Sequence, residues 1–244
     1  GWRKEKLADL DGAERDYERA LQKDPQNEVI LRHIEELQRA PGRERDLVAT
    51  LRRLASLEVI SGPGALRREA KAIAENTLGD VELAEAVVRE MIAADETDVW
   101  ALTELTELRR KQGDGKETYK LLIRRTELAG DPDSVRELRY DAAQVAHEIL
   151  KDLHAAIDLY ELIFEDTPTE KRASDALRVL YAEAGKKADL LRLLERLVDV
   201  ADDVHKRVEL RYETAKVSDE LGNKGDAIVQ LYAILDDEPA NVDA

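Results

Sequence analysis

The chain has no cysteine, one methionine, one phenylalanine and two tryptophans among 244 residues. Without cysteine there are no disulfides, no thiolate metal ligands and no thiol nucleophile, and the chain fits a cytoplasmic setting. No apolar run is long enough to span a bilayer. Alternating or long β-branched runs are missing, so nothing argues for a sheet. Positive charge is also short: the net charge is −16, and the stretch from Gly1 to Ile60 is nearly neutral. The acidic surplus therefore lies in the stretch from Ser61 to Ala244. A nucleic-acid binder gathers cations against phosphates, so this balance speaks against nucleic acid, and for the same reason against anionic membranes. The only methionine is Met91, so Gly1 is not a native start, and the chain is expected to be a piece of something longer.

What remains is rich in Ala, Leu, Glu, Arg and Lys, the good helix formers. Charged residues make up 38%. The stretch "DGAERDYERALQKDP" (11–25) spaces Ala13, Tyr17, Ala20 and Pro25 in a way that returns along the chain. Ala84, Val88, Met91 and Glu96 repeat it. So do Ala156, Tyr160, Ile163 and Pro168, and then Ala227, Leu231, Ile234 and Pro239. Successive copies lie roughly 72 positions apart, the middle offset one longer than the other two. A second set agrees: "LRREAKAIAE" from Leu66, "LRYDAAQVAHE" from Leu138 and "LRYETAKVSDE" from Leu210.

Each copy holds four amphipathic segments, with apolar residues at i, i+3, i+4 and i+7. That is two helix–turn–helix units of about 36 residues each. Ala early in a helix allows close approach of a neighbour, and the large residue four positions on fills the space beside it. Pro closes each pair, because it cannot continue a helix. Gly42, Gly79, Gly113, Gly185 and Gly222 fall where the first helix of a pair should stop. Helix over about 70% of the chain and no strand are expected from this periodicity.

Ala13, Tyr17, Ala20 and Pro25 resemble the second helix of the tetratricopeptide repeat. "VELRYETAKVSDELGNKGDAIVQLYAILDDEP" (208–239) resembles a whole unit of that family. The units run slightly long, and the tryptophan of the first helix is missing from most of them. The resemblance implies an all-α solenoid over residues 1–244: a right-handed superhelix of about six antiparallel helix pairs with a double repeat of roughly 71–72 residues. It further implies partial units at both ends, "NVDA" opening another first helix. The implied function is a non-catalytic protein–protein interaction scaffold, with first helices lining a concave groove that takes a peptide or helical segment. A structural spacer without a groove ligand is the alternative.

The candidate contact residues are Trp100, Tyr140 and Tyr212 as aromatic anchors, with Glu107, Glu148 and Lys216 beside them. Tyr140 and Tyr212 hold one repeat position, and Arg68 holds it in the earlier copy. Against the anchor role stands packing between units, the usual fate of aromatics at helical spacing. Arg32, Arg110, Arg172 and Lys216 are isolated cations of the same face. The expected partner is a protein or peptide with apolar anchors and positive charge. No cofactor and no metal are expected. "HEILK" from His147 has Lys151 where a zinc-binding H-E-x-x-H needs its second histidine. "SGPGAL" (61–66) lacks the G-K-[ST] of a phosphate loop and reads as a turn between helices.

Overall fold

The computed structural model describes residues 9–57, 62–239 and 241. Among them are thirteen α-helices, two π-helical segments and no strand. The chain divides into two compact units, Gly1–Asp114 and Gly115–Ala244. The first contains α1 (Leu10–Leu21), α2 (Glu28–Gln38), α3 (Glu44–Ala55), α4 (Pro63–Ala72), α5 (Val81–Ala94) and α6 (Val99–Gln112). The second contains α7 (Gly115–Leu128), α8 (Pro132–Gln144), α9 (Leu153–Asp166), α10 (Lys171–Glu183), α11 (Lys187–Val200), α12 (Val204–Glu220) and α13 (Lys224–Asp237). Within each unit every helix packs on the next. First helices of pairs are α2, α4 and α6 in the first unit and α8, α10 and α12 in the second. Residues 1–8, Ser61 and the last three residues of "NVDA" lie outside the described residues.

Local signals explain the boundaries. Side chains of Asp9, Asn27, Asp80, Asp98, Asp131, Asp152 and Asp203 each accept a backbone N–H of the first turn, satisfying a donor that has no partner inside the helix. Pro63 and Pro132 open α4 and α8, where a missing N–H costs nothing. Gly62, with φ 73°, precedes Pro63, so "SGPGAL" leads into the start of a helix. At Gly113, φ is 75°; its N–H and that of Asp114 reach back to the carbonyls of Arg110 and Arg109 and close α6. Gly42, Gly79, Gly185 and Gly222 share this positive φ.

The double repeat is visible in the packing. Ala13, Ala84, Ala156 and Ala227 are all buried, the second and third completely. In the first unit Leu31, Ile34 and Leu54 form one cluster, and Val48, Leu51, Ala70 and Val87 form another. The second unit has a larger core around Ile157, Phe164, Leu177, Tyr181 and Leu194.

The offset from Ala156 to Ala227 is one position shorter than that from Ala84 to Ala156, and the helices show why. The segments Ala70–Ala84 and Ala142–Ala156 are each one residue longer than Thr214–Ala227. The extra residue is absorbed in π-helical segments, Ile73–Thr77 after α4 and Val145–Leu150 after α8. The N–H of Leu78 donates to the Ile73 carbonyl, five residues back. The N–H groups of Asp80 and Asp152 then donate to the carbonyls of Ala74 and Ala146, both at 2.9 Å. Without the extra residue, α12 stays α-helical to Glu220. A local widening of the helix holds the following helix in register despite the insertion.

Candidate interaction surface

The first helices of each unit are tied to one another by charge. In the first unit Arg39, following α2, bonds Glu69 of α4 at 2.7 Å and Glu35 at 2.6 Å. Those two carboxylates hold the Arg39 pKa above its ordinary value. Lys71 of α4 lies between Glu75, at 2.6 Å, and Glu104 of α6. Burial opposes the Lys71 charge, but hydrogen bonds and charge from Glu104 and Glu75 outweigh it and raise its pKa. Glu75 is held low by the hydrogen bond from Lys71, with Lys111 of α6 adding at 3.3 Å. In the second unit Arg172 of α10 bonds Glu137 of α8 at 3.2 Å, and His147 meets Glu183 at 3.1 Å. Arg178 of α10 bonds Glu213 of α12.

The aromatic residues fall into this mesh. Trp100 is half-buried, and the guanidinium of Arg68 sits 4.8 Å from its ring centroid. Tyr212 is half-buried and donates its hydroxyl to Asn241 at 2.6 Å. Tyr140 departs from the sequence expectation. It is 1% exposed, with Arg172 over its ring at 3.8 Å and Tyr160 5.9 Å away. Its hydroxyl is buried with no hydrogen-bond partner among the described residues, and burial pushes its pKa up to about 12. Tyr140 is therefore a packing residue between α8, α9 and α10 and offers no anchor on the surface. The alanines beside it, Ala142 and Ala143, are also fully buried, so this part of α8 is enclosed by its neighbours.

The remaining candidates are on the outside. Glu107 is exposed and pairs with Arg110 one turn on at 3.4 Å. Glu148 is exposed and accepts from Gln144 at 3.1 Å. Lys216 is exposed. Arg32 bonds Glu35 at 2.9 Å. Trp100, Tyr140 and Tyr212 thus each link neighbouring elements within their own unit.

The histidines find partners too: His33 stacks on Tyr17 at 5.2 Å, His154 lies 3.4 Å from Asp158, and His205 lies 2.8 Å from Glu238. No group of three metal-ligating side chains occurs among the described residues. No described helix is long and apolar enough to cross a membrane.

Sequence reasoning missed a cleft. Between α9, α10 and α11 lies a space of about 280 Å³ lined by Phe164, Leu177, Tyr181 and Leu193, with carboxylates and arginines at its rim. Tyr181 donates to Glu161 of α9 at 2.6 Å, and Arg196 covers Phe164 at 4.7 Å. In the first unit the repeat position of Tyr181 holds Gln38 and Arg109. Each reaches a glutamate of the helix before its own: Gln38 donates to Glu14 at 2.6 Å, and Arg109 bonds Glu85. The repeat register aligns these three residues. Nothing in it shows that their side chains bridge to a second helix.

These stacked and capped helix pairs define a class of protein, the all-α tetratricopeptide-like helical array. No family model matches the chain, and no curated protein does. Solved structures do. The Naa15/Naa10 complex bound to HypK-THB matches with a TM-score of 0.52 at 16% identity, over 96% of this chain and 35% of that one. YrrB, described as a tetratricopeptide-repeat protein with an unusual peptide-binding site, matches at 0.40 and 12% identity, over 92% and 93%. MamA from Desulfovibrio magneticus RS-1 matches at 0.40 and 14% identity, over 75% and 99%. The chain spans about a third of the Naa15/Naa10 chain that it resembles. At this identity the likeness to the Naa15/Naa10 chain establishes the fold and leaves the function to the surface chemistry.

Proposed function

We propose that the protein is a non-catalytic protein–protein interaction scaffold that receives a basic segment of a partner along its first helices. One observation carries the reading. The cations Arg39, Lys71, Arg172 and Arg178 are each bonded to carboxylates of neighbouring first helices, while Glu107 and Glu148 stay exposed. In each unit these pairs hold the first helices to one another, and Glu107 in the first unit and Glu148 in the second lie among the acidic groups left at the surface. With a net charge of −16 behind them, these groups attract a cationic partner over a distance set by salt.

The test is a fluorescence-anisotropy titration with two labelled helical peptides of equal length, one Lys/Leu and one Glu/Leu. The Lys/Leu peptide should bind, weaken as salt rises, and lose several-fold in affinity against Glu107→Lys, Glu148→Lys protein. Equal binding of both peptides, or of neither, removes this reading. A spacer function has its own support in the ties themselves, because Arg68 and Arg172 cover the rings that a groove ligand would otherwise grip.

A further inference from the structure

The cleft between α9, α10 and α11 has an apolar floor and an unbalanced charge at its inner end. Phe164, Leu177 and Leu193 form the floor, each at most 4% exposed. Glu161 and Glu165 stand one turn apart on α9 and line one wall, and Asp189, Arg192 and Arg196 of α11 line the other. The two arginines are engaged: Arg192 pairs with Asp189, and Arg196 lies over the ring of Phe164. Glu161 is different. One of its oxygens accepts from Tyr181, a neutral donor, and neither Glu161 nor Glu165 has an ion pair among the described residues. Burial raises the Tyr181 pKa, and Glu161 and Asp189 add to it over the opposing charge of Arg192, so the surroundings of this hydroxyl are negative.

The first unit has a cleft at the same place in the repeat, between α1, α2 and α3, of about 480 Å³. It keeps both acids, with Glu18 and Asp46 at the positions of Glu161 and Asp189. It adds Asp11, Glu14 and one cation, Arg15. Its floor is another matter. Gln38 and Thr50 replace Tyr181 and Leu193, and the Thr50 hydroxyl donates to Gln38 at 2.6 Å. Negative charge is thus common to both clefts. Of the two, only the second has a floor on which a carbon chain can lie.

What fits the second cleft is a long apolar stem that ends in a positive charge. At about 280 Å³ the space falls short of the usual range for a small-molecule pocket and suits one side chain. The open oxygen of Glu161 asks for a point charge. A guanidinium is a flat fork that gains by stacking, and Arg196 already holds the face of Phe164.

We propose that this cleft takes a lysine side chain of a protein partner, with its methylenes on Leu177 and Leu193 and its ammonium on the open oxygen of Glu161. The carboxylate of Glu165 at the rim draws the cation in. The site shares no residue with Glu107 and Glu148, so binding here and binding along the first helices can fail separately.

Methyl NMR of the full chain, titrated with a short Gly/Ser peptide carrying one central lysine, tests the proposal. The Leu177 and Leu193 methyl signals should shift and saturate in the millimolar range, while those of Ala49 and Thr50 in the first cleft stay in place. The same peptide with arginine should bind several-fold more weakly, and with norleucine not measurably. Glu161→Gln should cost at least about tenfold in affinity, as for a lost hydrogen bond to a charged group. Its amide oxygen still accepts from Tyr181, so the fold should hold. Glu165→Gln, at an exposed position, should weaken binding by a smaller factor, and Glu195→Gln, exposed on α11 outside the cleft, should bind as wild type. No saturating shift overturns the proposal. So do equal shifts in the two clefts, arginine or norleucine peptides that bind as well as lysine, or wild-type affinity in both Glu161→Gln and Glu165→Gln.

Discussion

Arg172 lies over the ring of Tyr140, and the same two repeat positions one copy earlier hold Trp100 and Arg68. The cation and the aromatic have changed places, and the contact between neighbouring first helices has been kept. What is preserved is a pairing: a flat cation on the electron-rich face of a ring, each side chain coming from a different helix.

This exchange predicts a double-mutant cycle. Trp100→Arg and Arg68→Tyr should each destabilise the protein, by about 0.5–2 kcal/mol for the lost contact. Made together, they rebuild the arrangement of Tyr140 and Arg172, and the double variant should lose clearly less than the sum. Urea unfolding measures all four proteins. Strict additivity would show that the two side chains do not interact.

Tyr140→Phe should leave stability unchanged or raise it. The phenol hydroxyl is buried without a partner, so its removal abolishes a desolvation cost of about 1–3 kcal/mol and breaks no bond. Tyr181→Phe should act the other way and lose roughly 1 kcal/mol, because that hydroxyl donates to Glu161. Thermal melts of the two variants side by side should not move in the same direction.

Lys151 is the only described residue other than glycine with positive φ, at 57°. Gly79 and Gly222 stand at its place in the other copies. Lys151→Gly should therefore stabilise by about 0.5–1 kcal/mol, the left-handed strain outweighing the extra chain entropy of glycine. Gly79→Lys should cost a similar amount. A fall in stability for Lys151→Gly would mean that the lysine side chain holds this turn.

Ala13→Arg and Ala156→Arg should destabilise strongly. The two alanines are 3% and 0% exposed at the contacts between helices. Overpacking alone costs about 1–3 kcal/mol, and an unpaired buried charge adds more. Circular dichroism melts decide it, and unchanged melting of both variants would contradict the close contact.

Glu75 should make stability depend on acid. Its pKa is lowered in the folded protein, first by Lys71 and then by Lys111, against the opposing effect of burial. Its contribution is therefore complete above the unfolded carboxylate pKa, about 4.3, and is lost as pH falls through the lower folded value. The melting temperature of wild type minus Glu75→Gln should be constant from about pH 8 to 6 and shrink below about 4.5. The difference is the useful quantity, because acid also eases the repulsion of sixteen net negative charges. A difference that grows on acidification would reverse the assigned sign.

Much of this architecture could be read along the chain. Helices, their apolar sides, the closing glycines and the double repeat all depend on residues a few positions apart, and a 3.6-residue period writes them directly into the sequence. Alanine at the close contacts follows from the same spacing, and the buried Ala84 and Ala156 bear it out. The fate of the aromatics was different. Tyr140 and Tyr212 hold the same repeat position, yet one is sealed beneath Arg172 and the other bonds Asn241. The partners that decide this lie a whole helix pair further along the chain and arrive only when the next helix stacks. The inserted residue was countable in the offsets, but its absorption in a π-turn depended on the following helix needing its register. Ile157 and Ile228 are alike in type and repeat position, yet the first is sealed in a core with side chains of α10 and α11 and the second is exposed.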